Sequence, residues 1–176
     1  MRILAIVGSL ARESANARLL HRMAATAAPD VRIWESLDHL PYFSPDADGD
    51  SEVQALRQAV ATADVVWICT PEYAGGMPGA LKNALDWLVG SGELYGKHVV
   101  VLSAAPSEQR GGNARRWVEE VVRMQGSEVL DSFTVAVPPG AAPELVEATA
   151  ERALARAMQA PKVALGTCAH SLSTPG

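Results

Sequence analysis

The chain has 176 residues, 48% of them hydrophobic, with 20 acidic against 15 basic side chains and a formal net charge of −5. That length suits one domain with an ample core, and the composition excludes a disordered or fibrous chain. No basic stripe interleaved with aromatics stands out and no apolar run nears the roughly 18 residues of a membrane span, so neither nucleic acid nor a membrane is an expected partner. The opening MRILAIVGS has one Arg and five apolar residues before Gly8. It is too short for a signal-peptide core and suits a buried strand, so a cytoplasmic protein is expected.

Short, β-branched apolar runs follow at Ile3–Val7, Val31–Trp34, Val65–Cys69, Val99–Leu102 and Val129–Val137. Helical patterns lie between and after them at Ala15–Ala27, Glu52–Ala63, Gly79–Val89, Asn113–Gln125 and Pro143–Met158. Strands apolar on both faces, joined by connections long enough for crossover helices, predict a parallel sheet covered on both sides. Five such strands fit a doubly wound α/β sandwich of strand order 2-1-3-4-5. Ligands of such sheets bind beyond the carboxyl ends of the strands, which directs attention to the loops after the first, third and fourth strands. Asp38–Ser51 is a polar, Pro-containing excursion, and the domain is expected to span residues 1–160. Residues 161–176, from Pro161, lose periodicity and are expected to form a mobile or partner-packed tail.

Cys69 and Cys168 lie far apart and outside any CxxC or Cys/His cluster, so no metal is expected. Cys69, ending an apolar run, reads as a buried core thiol. His21, His39, His98 and His170 are scattered and read as surface residues.

The first of the three loops reads GSLARESAN over residues 8–16. Gly8 permits a sharp turn, and Ser14 is placed to cap the following helix. With Ser9, Arg12, Asn16 and the N–H groups of a helix start, the loop suits an anion; an ordinary capped helix is the rival. Neither a Walker A pattern nor GxGxxG is present, and GSGELYG at 90–96 follows a helix rather than a strand.

The loop after the third strand opens PEYAGGMPGALKNALDW, residues 71–87. Pro71 and Pro78 stiffen it, its glycines either admit a flat ligand to the main chain or merely shape a connection, and Leu81, Ala84, Leu85 and Leu88 give the next helix one apolar face. Together, GSLxxxSxN and PEYxGxxPGxLKNxxDW resemble the NADPH-dependent FMN reductase family of flavodoxin-like proteins, over roughly residues 2–160.

The resemblance implies bound FMN, with its phosphate at Ser9, Ser14 and Asn16 and its ring against Pro71, Glu72, Tyr73 and Gly75. A third contact falls in SAAPSEQRGGN, with Ser103, Gly111 and Gly112. Many members have Arg at the position of Ala11; here the nearby guanidinium is one residue later, at Arg12, which either takes over that role or points to solvent. Members usually carry Asn at the position of Ala74, beside the flavin. The implied chemistry is hydride transfer from NADPH to FMN, then two electrons to a small-molecule acceptor such as a quinone or free flavin, without a catalytic triad. Glu72 and Tyr73 are read as seating the ring rather than as acid and base. Arg110, Arg115 and Arg116 are candidates for the NADPH 2′-phosphate. Trp87 and Trp117 lie on the helices through which members commonly pair, so a homodimer or homotetramer is expected, with core packing the rival role for each. The alternative functions are a flavodoxin-like electron carrier and a specialised biosynthetic flavoenzyme using the same site.

Overall fold

Arg2–Val7 forms the strand β1, followed in chain order by α1 (Ala15–Thr26), β2 (Asp30–Trp34), α2 (Ser51–Thr62), β3 (Val65–Cys69) and α3 (Gly79–Asp86). The chain continues with β4 (His98–Ala105), α4 (Gly112–Met124), β5 (Glu128–Ala136) and α5 (Pro143–His170). The computed structural model describes residues 1–27, 30–138, 140–141 and 143–170, without the side chains at 143, 145, 146 and 160–170.

The strands form one sheet in the order β2-β1-β3-β4-β5, parallel throughout, which is the expected flavodoxin-like sandwich. Strand alternation sends Ile3, Ala5 and Val7 to one face and Leu4 and Ile6 to the other. The first face is covered by α1 through Leu19, Leu20 and Met23 and by α5 through Ala150, Ala153 and Ala157. The second is covered by α2 (Val53, Leu56, Val60), α3 (Leu81, Ala84, Leu85) and α4 (Val118, Val122). Each fully buried Leu, Ile or Val contributes about 1.5–3 kcal/mol relative to exposure, so both layers are held mainly by these aliphatic contacts.

Two expectations are corrected, and the sheet carries one irregularity. β4 extends three residues beyond Leu102, because Ser103, Ala104 and Ala105 pair with Thr134, Val135 and Ala136 although these small residues carry no apolar signal. A register shift between Val99 and Val100 leaves Leu130 of β5 without an opposite residue. α5 does not end at Met158 but continues through Pro161 to His170, so residues 161–170 of the expected tail are helical and the boundary at 160 is not a helix end. Pro161 does not end the helix, although it lacks a backbone N–H and is disfavoured in a helix interior. The remaining tail, 171–176, lies outside the described residues.

The polar excursion after β2 contains a short 3-10 turn at Leu37–His39 and is fastened to α3. Asn83 accepts from the Phe43 N–H at 2.8 Å and donates to the Pro41 carbonyl at 2.9 Å, and Trp87 Nε1 donates to the same carbonyl at 2.8 Å. The Phe43 ring meets Trp87 edge-on, with centroids 5.2 Å apart. Among the described residues no helix is long and apolar enough to cross a membrane.

Candidate functional site

The loops after β1, β3 and β4 leave the sheet along its carboxyl edge, where the strand order reverses between β1 and β3. In the first, the Ser14 side chain caps α1 by accepting from the Ala17 N–H at 3.2 Å, and the Ser9 hydroxyl accepts from the Ala11 N–H at 3.2 Å. Among the described residues the N–H groups of Leu10 and of Arg12 through Asn16 have no protein acceptor. A helix start with six such donors, two buried serines and the exposed guanidinium of Arg12 has the chemistry to hold an anion.

Asn16 is only half available to such a ligand. Its side-chain oxygen accepts from the Ala104 N–H at 2.8 Å and from the Cys69 thiol at 3.2 Å, so it fastens α1 to the ends of β3 and β4 and leaves only the NH₂ for a ligand. Burial pushes the Cys69 thiol up to about 12, partly offset by a backbone hydrogen bond from Ala104, so the sulfur stays protonated at neutral pH.

In the second loop, Tyr73 and Gly76 exchange both backbone hydrogen bonds at 3.0 Å, closing a two-residue turn. Its central residues, Ala74 (φ 49°) and Gly75 (φ 78°), both have positive φ, as a type I′ turn requires. Ala74 is the one non-glycine residue with positive φ among the described residues. A Cβ on Gly75 would meet nothing within 4 Å, so the main chain there lies open to a flat ligand. The Tyr73 ring is half exposed, and its hydroxyl lies 3.2 Å from the Ser9 hydroxyl, bringing the first and second loops together.

Glu72 turns the other way. Its Oε2 accepts from the N–H groups of Asn113 at 3.0 Å and Ala114 at 3.3 Å, in the first turn of α4. Gly111 occupies the N-cap of α4 with φ 81° and no side chain. The doublet Gly111–Gly112 was the available signal that this helix needs a cap from elsewhere, but nothing in the sequence pointed to Glu72 as its source. Ser103, expected in the third loop, sits in β4 instead. It is buried beneath Gly111, where a Cβ on the glycine would stand 2.3 Å from its Oγ, and that hydroxyl has no hydrogen-bond partner.

Other expected residues separate. Trp87 is 1% exposed and belongs to the core, whereas Trp117 is 49% exposed, with its indole lying over Gly76. Arg115 donates from Nε to Thr134 Oγ1 at 3.2 Å and from Nη1 to Ser132 Oγ at 2.7 Å. These bonds hold its guanidinium against β5, and burial lowers its pKa, with Glu119 acting in the opposite sense. Arg116 donates to Asn113 Oδ1 at 3.0 Å. Arg110 remains an exposed side chain beside the third loop.

The model of the family described as NADPH-dependent FMN reductase matches residues 1–142. A 2-hydroxy-1,4-benzoquinone reductase of a Burkholderia species is 43% identical over 90 residues, which are 49% of this chain and 49% of the relative, so the match spans about half the length of that relative. A quinone reductase of Escherichia coli K12 is 30% identical over 131 residues, 69% of each chain. Among solved structures, the flavoenzyme NAD(P)H:(acceptor) oxidoreductase FerB of Paracoccus denitrificans is similar with a TM-score of 0.63 at 26% identity, covering 80% of this chain and 77% of that one.

Proposed function

The chain belongs to the NADPH-dependent FMN reductase family, and from that premise we propose that it is an FMN-dependent oxidoreductase that oxidises NADPH and reduces a quinone, free flavin or similar small acceptor. The observation that carries this reading is the run of N–H groups at Leu10 and Arg12–Asn16 left without an acceptor among the described residues, joined through Ser9 and Tyr73 to an open main-chain turn. A phosphorylated ligand with a flat ring needs these two features side by side.

FMN fits this donor set. Its phosphate would be held by the N–H groups at the start of α1, the Ser9 and Ser14 hydroxyls, Arg12 and the Asn16 NH₂. Its ring would be seated by the main chain of Pro71, Glu72, Tyr73, Ala74 and Gly75 and by the small residues at the start of the third loop, ahead of Gly111 and Gly112. Bound FMN supplies reversible hydride chemistry that no amino-acid side chain provides. The chain's own part is to orient the ring against the carboxyl edge and to offer preorganised N–H donors wherever negative charge develops on it. Tyr73, half exposed beside that turn, ties it to the phosphate loop through Ser9. Glu72 is engaged by the α4 N-terminus and so is not free to serve as an acid or base at the ring.

A homodimer or homotetramer is part of the proposal. Val89, Tyr95, Trp117 and Met124 are exposed on or just beyond α3 and α4, and a cavity of about 430 Å³ runs between these helices. Apolar side chains so grouped suit a second copy.

The purified protein is expected to be yellow, or to become so with FMN, and to be bleached by NADPH in the absence of air. A protein that stays colourless after incubation with FMN removes the reading.

A further inference from the structure

We propose that Glu72 is a positioning residue: its carboxylate serves as the built-in anion of the α4 N-terminus and so fixes the ring loop against the third loop. This inference rests on the FMN reading and adds a role for Glu72 other than contact with the ring.

The first N–H groups of any helix lack intrahelical acceptors, and the helix dipole makes that end favour negative charge. α4 cannot satisfy them itself. Gly111 at its N-cap has no side chain, and Asn113 turns its Oδ1 to Arg116 at 3.0 Å. Glu72, 41 residues away in sequence from Asn113, accepts from both Asn113 and Ala114. These are charge-assisted hydrogen bonds between two loops that no strand ladder joins. The next residue, Tyr73, binds the first loop through Ser9. Two consecutive side chains therefore point in opposite directions and tie the ring loop to both of its neighbours.

Two consequences follow. The α4 N-terminus is already occupied by a protein carboxylate, so it is not the place where the phosphates of a dinucleotide are received. The gap between the ring loop and the start of α4 is spanned by the Glu72 side chain beside the packing of Trp117 on Gly76, so a shorter residue at 72 loosens one of its two ties even when the fold survives.

The test uses the full chain in four forms: wild type, Glu72→Ala, Glu72→Gln and Val122→Ala. Val122 is buried near the far end of α4, so its truncation lowers stability without touching the loops. Amide hydrogen exchange at Asn113 and Ala114 is read without FMN, and FMN affinity is read separately by fluorescence titration. Glu72→Ala is expected to speed exchange at both amides and weaken FMN by about tenfold, a figure within the range of lost caps. Glu72→Gln, which keeps an acceptor at the same reach, is expected to restore both to within about threefold of wild type, since the neutral bond is weaker than the charged one. Val122→Ala is expected to lower Tm with FMN affinity unchanged. Unaltered exchange in Glu72→Ala overturns the cap. Faster exchange with unaltered FMN affinity overturns the positioning role, as does an equal FMN loss in Val122→Ala. A wild type that protects both amides yet binds no FMN overturns the flavin reading, and the positioning role with it, while the cap stands on the exchange data.

Discussion

The hydroxyl of Tyr73 stands 3.2 Å from that of Ser9, joining two loops whose contacting residues are 64 positions apart. This single neutral hydrogen bond is half exposed, so Tyr73→Phe is expected to lower unfolding free energy by only about 0.5–1 kcal/mol. FMN affinity should fall several-fold, because the first loop and the open turn are then less firmly joined. Urea unfolding and FMN titration check the two effects; no change in either would show that the pair does not hold the loops in solution.

Ala74 carries a backbone conformation that a Cβ disfavours by roughly 1–2 kcal/mol, and that Asn and Gly adopt more readily. Ala74→Asn and Ala74→Gly are each expected to raise stability by up to about 1 kcal/mol, and Ala74→Val to lower it. A shift of the urea midpoint in the opposite sense for Asn would mean that the turn is not of this type.

Gly111 is constrained twice, by φ 81° and by the Ser103 hydroxyl beneath it. Gly111→Ala is expected to destabilise the fold by about 2 kcal/mol or more, since strain of about 1–3 kcal/mol adds to the clash. Ser103→Ala removes a buried hydroxyl without a partner, and should be neutral or stabilising by about 1 kcal/mol. Thermal melting of the two variants distinguishes these roles, and a marked loss in Ser103→Ala would reveal a partner for that hydroxyl.

Cys69 links stability to alkaline pH. Its folded pKa of about 12 lies above the ordinary value of 9.0, so the folded state binds the proton more tightly than the unfolded chain does. Its contribution is therefore complete below about pH 9 and is lost as pH rises toward 12. Between pH 8 and 10 the wild type should lose about 1.4 kcal/mol more than Cys69→Ala, because every other titrating group is common to both. Parallel pH profiles would contradict the burial of this thiol.

Arg12 is exposed and makes no hydrogen bond among the described residues, so its truncation should leave stability nearly unchanged. If its guanidinium meets the FMN phosphate, Arg12→Ala weakens FMN by roughly ten- to a hundredfold, the equivalent of a charge-assisted bond of about 1.5–3 kcal/mol. Riboflavin, which lacks the phosphate, should bind almost as before. Equal losses for both ligands would assign Arg12 to the ring or the fold.

What could be read in advance follows from how local each signal is. β3 was legible from Val65 to Cys69 because five consecutive apolar residues can only be buried on both faces. The Ser14 cap was legible because donor and acceptor lie three residues apart. Ser103 was misplaced because small residues extend a strand without announcing it. Asn16 was assigned to a ligand although its oxygen is taken by Ala104, 88 positions away. Trp87 and Trp117 each sit on a helix, yet one is buried and the other exposed, a difference set by the Pro41–Phe43 segment covering the first. Such distant partners leave no trace in spacing or periodicity.

The contact between Trp117 and Gly76 also gives the molecule an optical gauge. Trp34, Trp67 and Trp87 are 6%, 0% and 1% exposed, whereas Trp117 is 49% exposed and rests on the turn proposed to seat the ring. Solvent-quenchable, red-edge emission should thus come almost entirely from this one indole, so that the arrival of any chromophore at the turn is reported by the protein's own light without a label.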